Sequence, residues 1–392
     1  MQSCDVAIIG ASSSGLYTAG LLAKAGVEVA LFEREEAIDP ARRTYIITPG
    51  LERVMDEVPA GLVLHQISDL AVETPGQDVT IPLRDQDLIL ERNMMRKSLA
   101  DRAREAGAQI HTGMAFAGFR VEEDQTRLVF DGEGGQSVVR AGTVIGADGA
   151  FSVTAREAGI PRPATVPLLQ AEIHLPAGWP RGLTKVWFDV VDTRYFFWLI
   201  PESEKRAVVG LIGDPGRDIK SVLSRFMEQH SFRALDMQSG QAAMHHPRLR
   251  PWGEVGGLKV LLVGDAAGQV KVTTVGGTVT GFWGAKAVSE AVLEGKAYAD
   301  ALQPLKRELD LHWWIRHLLE RMDNSGYDRL VENINPRVVD FLGTHDRDGM
   351  RGHFWKLPFL QPGFVPMGLK LLLGSQNHPP LPYSQDADAA PG

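Results

Sequence analysis

Short apolar runs alternate with helical stretches at the start of the chain. Two apolar runs, Val6–Gly10 and Val27–Phe32, flank a stretch with helical spacing, Leu16–Ala25. Only short turns join these three segments, and a strand–helix–strand unit of this kind places its two strands parallel in one sheet. The first thirty residues therefore predict a parallel α/β sheet.

The pattern changes in the middle of the chain. Short alternating runs, Lys185–Val190, Tyr195–Ile200 and Arg206–Ile212, are separated by turn residues. Such spacing is typical of an antiparallel meander. Helical spacing dominates later, most clearly over Pro304–Met322. The pattern thus predicts an α/β protein with an antiparallel sheet in its middle and a helical C-terminal region.

Composition narrows the functional classes. The chain of 392 residues carries 41 Lys and Arg against 49 Asp and Glu, a net charge of −8, which argues against a nucleic-acid-binding surface. No apolar stretch reaches the ~18 residues of a membrane span. Cys4 is the single cysteine, so no internal disulfide is available. We therefore expect a cytoplasmic protein without nucleic-acid partners, and leave contact with a membrane surface open.

A glycine-rich turn follows the first apolar run. Gly10 and Gly15 enclose the sequence ASSS, with Ser12 at the middle position, and Glu33 ends the second run. Glycines let backbone N–H groups approach a pyrophosphate at a helix N-terminus, and an acidic residue about 20 residues later can bind the adenosine ribose. This motif predicts dinucleotide binding, and both FAD and NAD satisfy it.

Two further glycine-rich stretches follow apolar strands, GADGAFSVTAR from Gly146 and VGDAAG from Val263. Asp148 and Asp265 in these stretches can reach ribityl or ribose hydroxyls, while the following N–H groups face phosphate. Each stretch alone is equally consistent with a turn capped by aspartate. All three in this order favour a flavin dinucleotide.

Together these motifs resemble the FAD-dependent oxidoreductases built like p-hydroxybenzoate hydroxylase, and most specifically their geranylgeranyl reductase group. Gly264–Gly277, GDAAGQVKVTTVGG, is similar to that group's GDAAGQVKPTTGGG, with Val272 in place of proline and Val275 in place of glycine. Phe196–Pro201, FFWLIP, is similar to its aromatic-x-Trp-x-aliphatic-Pro strand. The resemblance implies a Rossmann-like FAD-binding domain interleaved with an antiparallel β-sheet substrate domain, plus a helical C-terminal region.

The resemblance also implies domain boundaries. FAD-binding segments are expected at 1–70, 92–160 and 255–300, substrate-domain segments at 71–91 and 161–254, a helical region at 301–374 and a disordered tail at 375–392.

The resemblance to the geranylgeranyl reductase group also implies which residues form the site. Chemistry is expected to belong to the flavin, so no catalytic side chain is assigned. The implied FAD-binding residues are Gly10, Ser12, Ser14, Gly15, Glu33, Arg34, Arg43, Arg92, Asp148, Gly264, Asp265, Thr273, Thr274, Gly276 and Gly277. The expected substrate-pocket residues are Trp187, Phe196, Trp198 and Lys271. No metal site is expected, and the histidines at 245, 246, 312 and 317, which lack ligand-spaced partners, are expected to be exposed or capping.

The expected activity is reduction of carbon–carbon double bonds in an isoprenoid or similar hydrophobic substrate, by hydride transfer from reduced FAD. Since the chain has no second glycine-rich nucleotide motif, the electrons are expected from transiently bound NAD(P)H or from a redox partner such as a ferredoxin. An FAD-dependent aromatic monooxygenase is the main alternative, and a non-enzymatic FAD protein is a third. A halogenase would need an early lysine, and none lies between Lys24 and Lys97.

Overall fold

The computed structural model describes residues 2–38, 44–55, 58, 60–123, 125–373 and 384–386. The strands are β1 (Gln2–Ile9), β2 (Val29–Phe32), β3 (Thr44–Ile47), β4 (Val63–Glu73), β5 (Asp78–Glu91), β6 (Gln109–His111), β7 (Ala115–Glu122), β8 (Gln125–Gly132), β9 (Gly135–Gly146), β10 (Thr165–His174), β11 (Leu183–Trp187), β12 (Phe197–Pro201), β13 (Arg206–Ile212), β14 (Ala234–Ala243), β15 (Trp252–Val255) and β16 (Leu258–Leu262). The helices are α1 (Ser13–Lys24), α2 (Gly50–Val54), α3 (Arg92–Glu105), α4 (Val153–Glu157), α5 (Ile219–Gln229), α6 (Thr278–Glu294), α7 (Tyr298–Leu319), α8 (Asn324–Glu332), α9 (Pro336–Thr344), α10 (Leu357–Leu360) and α11 (Phe364–Leu373).

The first sheet is built around β1. Its order is β15-β16-β9-β1-β2-β6, and β7 and β8 extend it beside β9 as an antiparallel meander. β1 pairs in parallel with β2 and β9, so that Val6 lies opposite Val29 and Thr143. Because both faces are covered, β1 is apolar on both sides: Ile8 packs under helices α1, α3 and α6, and Ile9 packs against the meander.

The second sheet has the order β14-β10-β13-β12-β11-β4-β5-β3, antiparallel except where β11 runs parallel to β4. Helix α5 covers one face, where the Phe226 ring stacks on Phe197 with centroids 4.1 Å apart. Trp198 and its neighbours on the opposite face meet the loop after β16 and the partly buried Trp313 of α7. The observed mixed α/β architecture confirms the predicted fold class.

Segment limits differ from the expectation on both sides of the substrate segments. β15, which begins at Trp252 inside the expected segment 161–254, pairs with β16 in the first sheet. Strands β3 and β4 begin before residue 71 and already belong to the second sheet, because the chain leaves the first sheet directly after β2. The three described residues of the expected tail, 384–386, contact the segment before β10, where Asp386 forms an ion pair with Arg162.

Two features bear on the cysteine and on membranes. Cys4 lies inside β1, where burial raises the pKa of its thiol to about 11, which makes it a poor nucleophile. Within the described ranges, no helix has both the length and the hydrophobicity to cross a bilayer.

Candidate functional site

A cavity of about 360 Å³ lies between the two sheets, at the carboxyl ends of the parallel strands β1, β9 and β16. Ligands of open α/β sheets bind at this edge. Its lining comes from the loops and helix starts beside the first sheet and from strands β3, β10 and β14 of the second. The lining residues are Ser12, Ser13, Ser14, Thr44, Tyr45, Arg92, Ala147, Gly149, Leu168, Gln170, Gln238, Asp265, Gly277 and Thr278.

Two helices begin at this cavity. Ser12 caps α1, and its Oγ accepts a hydrogen bond from the N–H of Gly15 at 3.1 Å. Helix α6 begins after Gly277 without a side-chain cap, so its first N–H groups remain available. The N-terminus of each helix offers backbone donors and a partial positive charge, and both features favour a phosphate.

The glycines of the first turn are required by close packing. Gly10 has φ +98°, and a Cβ there would lie 2.7 Å from the carbonyl oxygen of Ala147. A Cβ on Gly15 would lie 2.4 Å from the Gly10 carbonyl oxygen. The turn can therefore bring the start of α1 against the end of β9 only with glycine at both positions.

Glu33 is held at the end of β2. Its carboxylate accepts the N–H of Ala11 at 2.7 Å and that of Glu35 at 3.0 Å. The buried Arg96 donates from Nε to the Ala11 carbonyl oxygen at 3.0 Å, and its Nη2 lies 4.0 Å from the Glu33 carboxylate. Arg96 was missed by the sequence analysis, although its place one turn into α3, after Arg92, was the available signal.

Asp265 supplies an unsatisfied carboxylate at the cavity. Among the described residues, no side chain or N–H donates a hydrogen bond to it, and burial raises its pKa while the charge of Arg92 lowers it. This carboxylate faces the cavity, where it can accept hydrogen bonds from a ligand. FAD carries hydroxyl groups that can donate to Asp265 and phosphates that can bind at the two helix N-termini. The residues at the cavity therefore fit this cofactor.

Three predicted cofactor residues have other roles or cannot be placed. The Asp148 carboxylate accepts from Ser152 Oγ at 2.5 Å and from the N–H of Thr154 at 2.9 Å, so it caps α4 and its donors are already supplied. Arg34 is exposed and pairs with Glu35 at 3.3 Å. Arg43 lies outside the described residues.

Residues 270–277 connect the cavity to the second sheet. We call this segment the flavin loop because four of its residues are expected to bind FAD. A bridge between Lys271 and Gly276 closes the loop, and Gly277 lines the cavity. Thr273 hydrogen bonds to His312, whereas Thr274 is exposed. Gly264 packs against Ser14 and α6.

The predicted substrate-pocket residues are separated by the structure. Trp198 and Phe196 belong to the apolar cluster on the flavin-loop side of the second sheet. Trp187 is instead buried on the opposite face, against Phe226 of α5, with ring centroids 5.2 Å apart. Lys271 does not face an open pocket either, because its ammonium pairs with the buried Asp348.

The expectation for two of the histidines was wrong. Both His245 and His312 are buried: His245 hydrogen bonds to Asp310 of α7, and His312, itself a residue of α7, hydrogen bonds to Thr273 of the flavin loop. Among the described residues, no group of three or more His, Cys, Asp or Glu is arranged to hold a metal ion.

Val275 adopts φ +51°, a left-handed conformation that is rare for a β-branched residue. We expect Val275→Gly to change the free energy of unfolding by less than about 1 kcal/mol, because relief of about 1–2 kcal/mol of strain offsets the lost packing. The fully buried neighbour Val272 provides the matched comparison. Val272→Gly should cost about 3 kcal/mol or more, as measured by urea denaturation. Equal losses at both positions would contradict the strain argument.

Comparisons with known proteins agree with this geometry. Residues 3–304 match the FAD binding domain family. The chain is 32% identical over 371 residues to digeranylgeranylglycerophospholipid reductase 2 of Methanothermobacter thermautotrophicus, covering 88% of this chain and 90% of that one. It is also 32% identical over 331 residues to the protein of that name from Methanopyrus kandleri, covering 76% and 80%.

Solved structures show the same fold. A geranylgeranyl bacteriochlorophyll reductase-like protein from Thermoplasma acidophilum superposes with a TM-score of 0.77 at 20% identity, over 94% of this chain and all of that one. The p-nitrophenol 4-monooxygenase of Pseudomonas putida gives 0.68 at 19% identity, over 92% and 99%. Since both identities are low, these similarities establish the fold and leave the reaction to be argued from the site.

Proposed function

The chain belongs to the geranylgeranyl reductase group of the FAD binding domain oxidoreductases, and on this premise we propose that it reduces carbon–carbon double bonds in the prenyl chains of an isoprenoid lipid. The proposal rests chiefly on one observation. The 32% identity to named digeranylgeranylglycerophospholipid reductases extends over 88% of this chain, and so includes the second sheet and most of the helical region as well as the cofactor domain.

The surroundings of the flavin loop support a hydrophobic substrate. Trp198 and Phe196 form an aromatic patch beside Val272, next to the loop that ends at the cofactor cavity. Aromatic and aliphatic side chains of this kind bind an isoprenoid chain by burying its apolar surface. We propose that the substrate enters along this patch and meets the cofactor at the flavin loop, which lies between the patch and the cofactor cavity.

The chain's own residues would hold FAD at both ends of the cavity. The N–H groups that begin α1 and α6 would bind the pyrophosphate, and Asp265 would accept hydroxyls of the ribityl or ribose groups. Arg92 adds positive charge at the same wall. When bound and reduced, FAD supplies the hydride, and the apolar surroundings of the loop exclude water from the substrate.

Anaerobic turnover tests this function. The holoenzyme is reduced with dithionite and mixed without oxygen with a digeranylgeranylglycerol phospholipid, and the lipid is analysed by mass spectrometry. We expect gains of two mass units for each double bond reduced. A product that gains an oxygen atom, and forms only when oxygen is admitted, would identify a monooxygenase and contradict the proposal. As a control, the same reaction is run with FAD-free protein. Loss of the product there would show that FAD takes part in catalysis and does not only support the fold.

We propose that the electrons come from NAD(P)H or from a ferredoxin. Either donor would bind transiently at the protein surface, because the chain has no second glycine-rich nucleotide motif to hold it. The chain has one glycine-rich dinucleotide motif, from Gly10 to Gly15, and that turn borders the cofactor cavity described above. Mixing oxidised holoenzyme with NADH, NADPH or reduced ferredoxin in a stopped-flow spectrometer identifies the donor, because the true donor bleaches the flavin absorbance within the turnover time.

The C-terminal region presents an apolar surface suited to a membrane that contains such lipids. Phe359 and Leu373 are 77% and 88% exposed, and Trp355 is 61% exposed. Lys356 and Lys370 belong to the same stretch of the chain, and we call these five residues the C-terminal apolar surface. Exposed aromatic and aliphatic side chains interspersed with lysine bind the headgroup region of anionic bilayers. We propose that this surface rests on the membrane during turnover.

The double variant Phe359→Asp/Leu373→Asp is expected to lower binding to vesicles of phosphatidylglycerol and phosphatidylcholine by on the order of 10-fold or more, because each buried CH₂ contributes about 0.8 kcal/mol. Flotation of the vesicles measures the bound fraction. Val121→Asp/Val191→Asp makes the same change in charge at residues that are 60% and 68% exposed elsewhere. Equal losses in both double variants would contradict a specific surface.

A further inference from the structure

A row of three polar side chains connects the flavin loop to helix α7. Thr273 Oγ1 lies 2.6 Å from His312 Nδ1. On the other side of the ring, His312 Nε2 lies 3.5 Å from a carboxylate oxygen of Glu308, one helical turn earlier. The imidazole is fully buried and Glu308 is 8% exposed, whereas Thr273 is half-buried.

A purely structural role explains this arrangement poorly. His312 Nε2 is buried and makes no hydrogen bond within the described part of the chain, and such a nitrogen costs free energy that an apolar side chain of similar size would avoid. The 3.5 Å separation from Glu308 is suited to an ion pair when the ring carries its second proton. A threonine hydroxyl can donate and accept at once, so a proton can pass along the row.

The two ends of the row lie in different surroundings. Thr273 lies inside the flavin loop, one residue after Val272, which packs with Trp198, and four residues before Gly277 at the cavity. At the other end, Glu308 accepts the N–H of Arg351 at 3.0 Å, close to the partly exposed turn at 350–353. The row thus connects the junction of substrate patch and cofactor cavity with the outer side of the C-terminal region.

We propose that Thr273, His312 and Glu308 form a proton relay that supplies the proton consumed in double-bond reduction. This inference rests on the function proposed above. Reduction breaks one π bond and forms two C–H bonds: bound, reduced FAD would supply the hydride and its electron pair to one carbon, and the Thr273 hydroxyl would give its proton to the other. Thr273 takes the Nδ1 proton of the His312 imidazolium, whose charge Glu308 balances. The neutral ring then flips, which turns its remaining N–H toward Thr273, and water returns a proton through Glu308 to the other ring nitrogen.

Single-turnover kinetics tests the relay. Dithionite-reduced holoenzyme is mixed anaerobically with the digeranylgeranylglycerol phospholipid, and flavin reoxidation is followed by absorbance. We expect Thr273→Val and His312→Gln to slow reoxidation about 100-fold, the usual contribution of general acid catalysis, and Thr273→Ser to stay within about threefold of the parent chain. Glutamine still hydrogen bonds to Thr273, so the position of the loop is kept. The dissociation constant of FAD should therefore stay unchanged.

His245→Gln is the matched control, because His245 is also buried and hydrogen bonds to α7, with its Nε2 2.9 Å from Asp310. This variant should reoxidise at the rate of the parent chain. A His312→Gln rate within threefold of the parent chain would overturn the relay, and so would parallel losses of FAD affinity and rate, which indicate a structural role.

A second readout does not depend on turnover. With ¹⁵N-histidine in the holoenzyme, reducing the bound flavin adds charge beside the loop and should move the His312 ring resonances toward the protonated form, while those of His245 stay in place. An unchanged His312 signal would overturn the relay. If the parent chain reduces no prenyl lipid at all, the proposed function fails and this spectrum alone decides whether His312 responds to the flavin.

Discussion

Replacing Gly15 by alanine is expected to abolish FAD binding. The added Cβ would lie 2.4 Å from the carbonyl oxygen of Gly10 and 2.8 Å from the Cβ of Ala147, and neither backbone can move without shifting β1 or β9. The start of α1 must then move away, taking its N–H donors from the phosphates. Loss of two charge-assisted hydrogen bonds costs at least about 3 kcal/mol, or more than about 100-fold in the dissociation constant. Titration of apoprotein with FAD, followed by flavin fluorescence, measures this change.

Gly20→Ala is the matched control in the same helix. A Cβ at Gly20 would have its nearest neighbour 3.8 Å away, at Ala103, which is an ordinary van der Waals contact. We expect unchanged FAD affinity and a gain of up to about 1 kcal/mol in stability, as for a glycine replaced inside a helix. If Gly15→Ala bound FAD as tightly as Gly20→Ala, the cavity at the start of α1 would not be the cofactor site.

Lys271→Met is expected to lower the free energy of unfolding by about 3–5 kcal/mol, because it leaves the Asp348 carboxylate buried without its cation. The side chains of Lys271 and Asp348 are only 6% and 1% exposed, and Thr48 also donates a hydrogen bond to that carboxylate. The pair also ties the flavin loop to the segment after α9, so FAD should dissociate faster. Urea denaturation and the release of bound FAD measure the two effects.

The double variant Lys271→Met/Asp348→Leu distinguishes a broken pair from a damaged core. When both charges are removed, much of the loss should be recovered, since apolar replacements of a buried ion pair are often neutral. Lys296→Met removes the same group from an exposed pair with Glu290 and should change stability very little. A double variant as unstable as Lys271→Met would show that burial of the lysine stem, and not the ion pair, holds the loop.

The strand–helix–strand unit that borders the cavity was predictable because its sequence signals are local. Gly10, Gly15 and Glu33 act within a single strand–helix–strand unit, where spacing along the chain determines position in space. Asp148 shows the limit of this reasoning. It occurs in the same kind of glycine-rich turn as Asp265, yet Ser152 and Thr154 downstream supply its donors.

The second half of the site depends on contacts between residues far apart in sequence. Asp348 meets Lys271 from 77 residues away and Thr48 from 300 away. The spacing of residues along the chain does not indicate which distant residues will pair in this way. Trp187 was expected in the substrate pocket, whereas it is buried against Phe226 of α5. The sequence does not say which face of a sheet a helix will cover, so this contact could not be predicted.

The order of strands in the first sheet also governs when a nascent chain can load its cofactor. β1 is synthesised well before its neighbour β9, which ends at Gly146, and Asp265 and Thr278 at the cavity follow much later. At ribosomal rates of about 5–20 residues per second, roughly 10 to 50 seconds pass between synthesis of the glycine turn and synthesis of Thr278, the last residue in sequence that lines the cavity. During synthesis β1 must stay unpaired on its β9 side, so FAD cannot assist the earliest folding steps and chaperones are the expected protection for this strand.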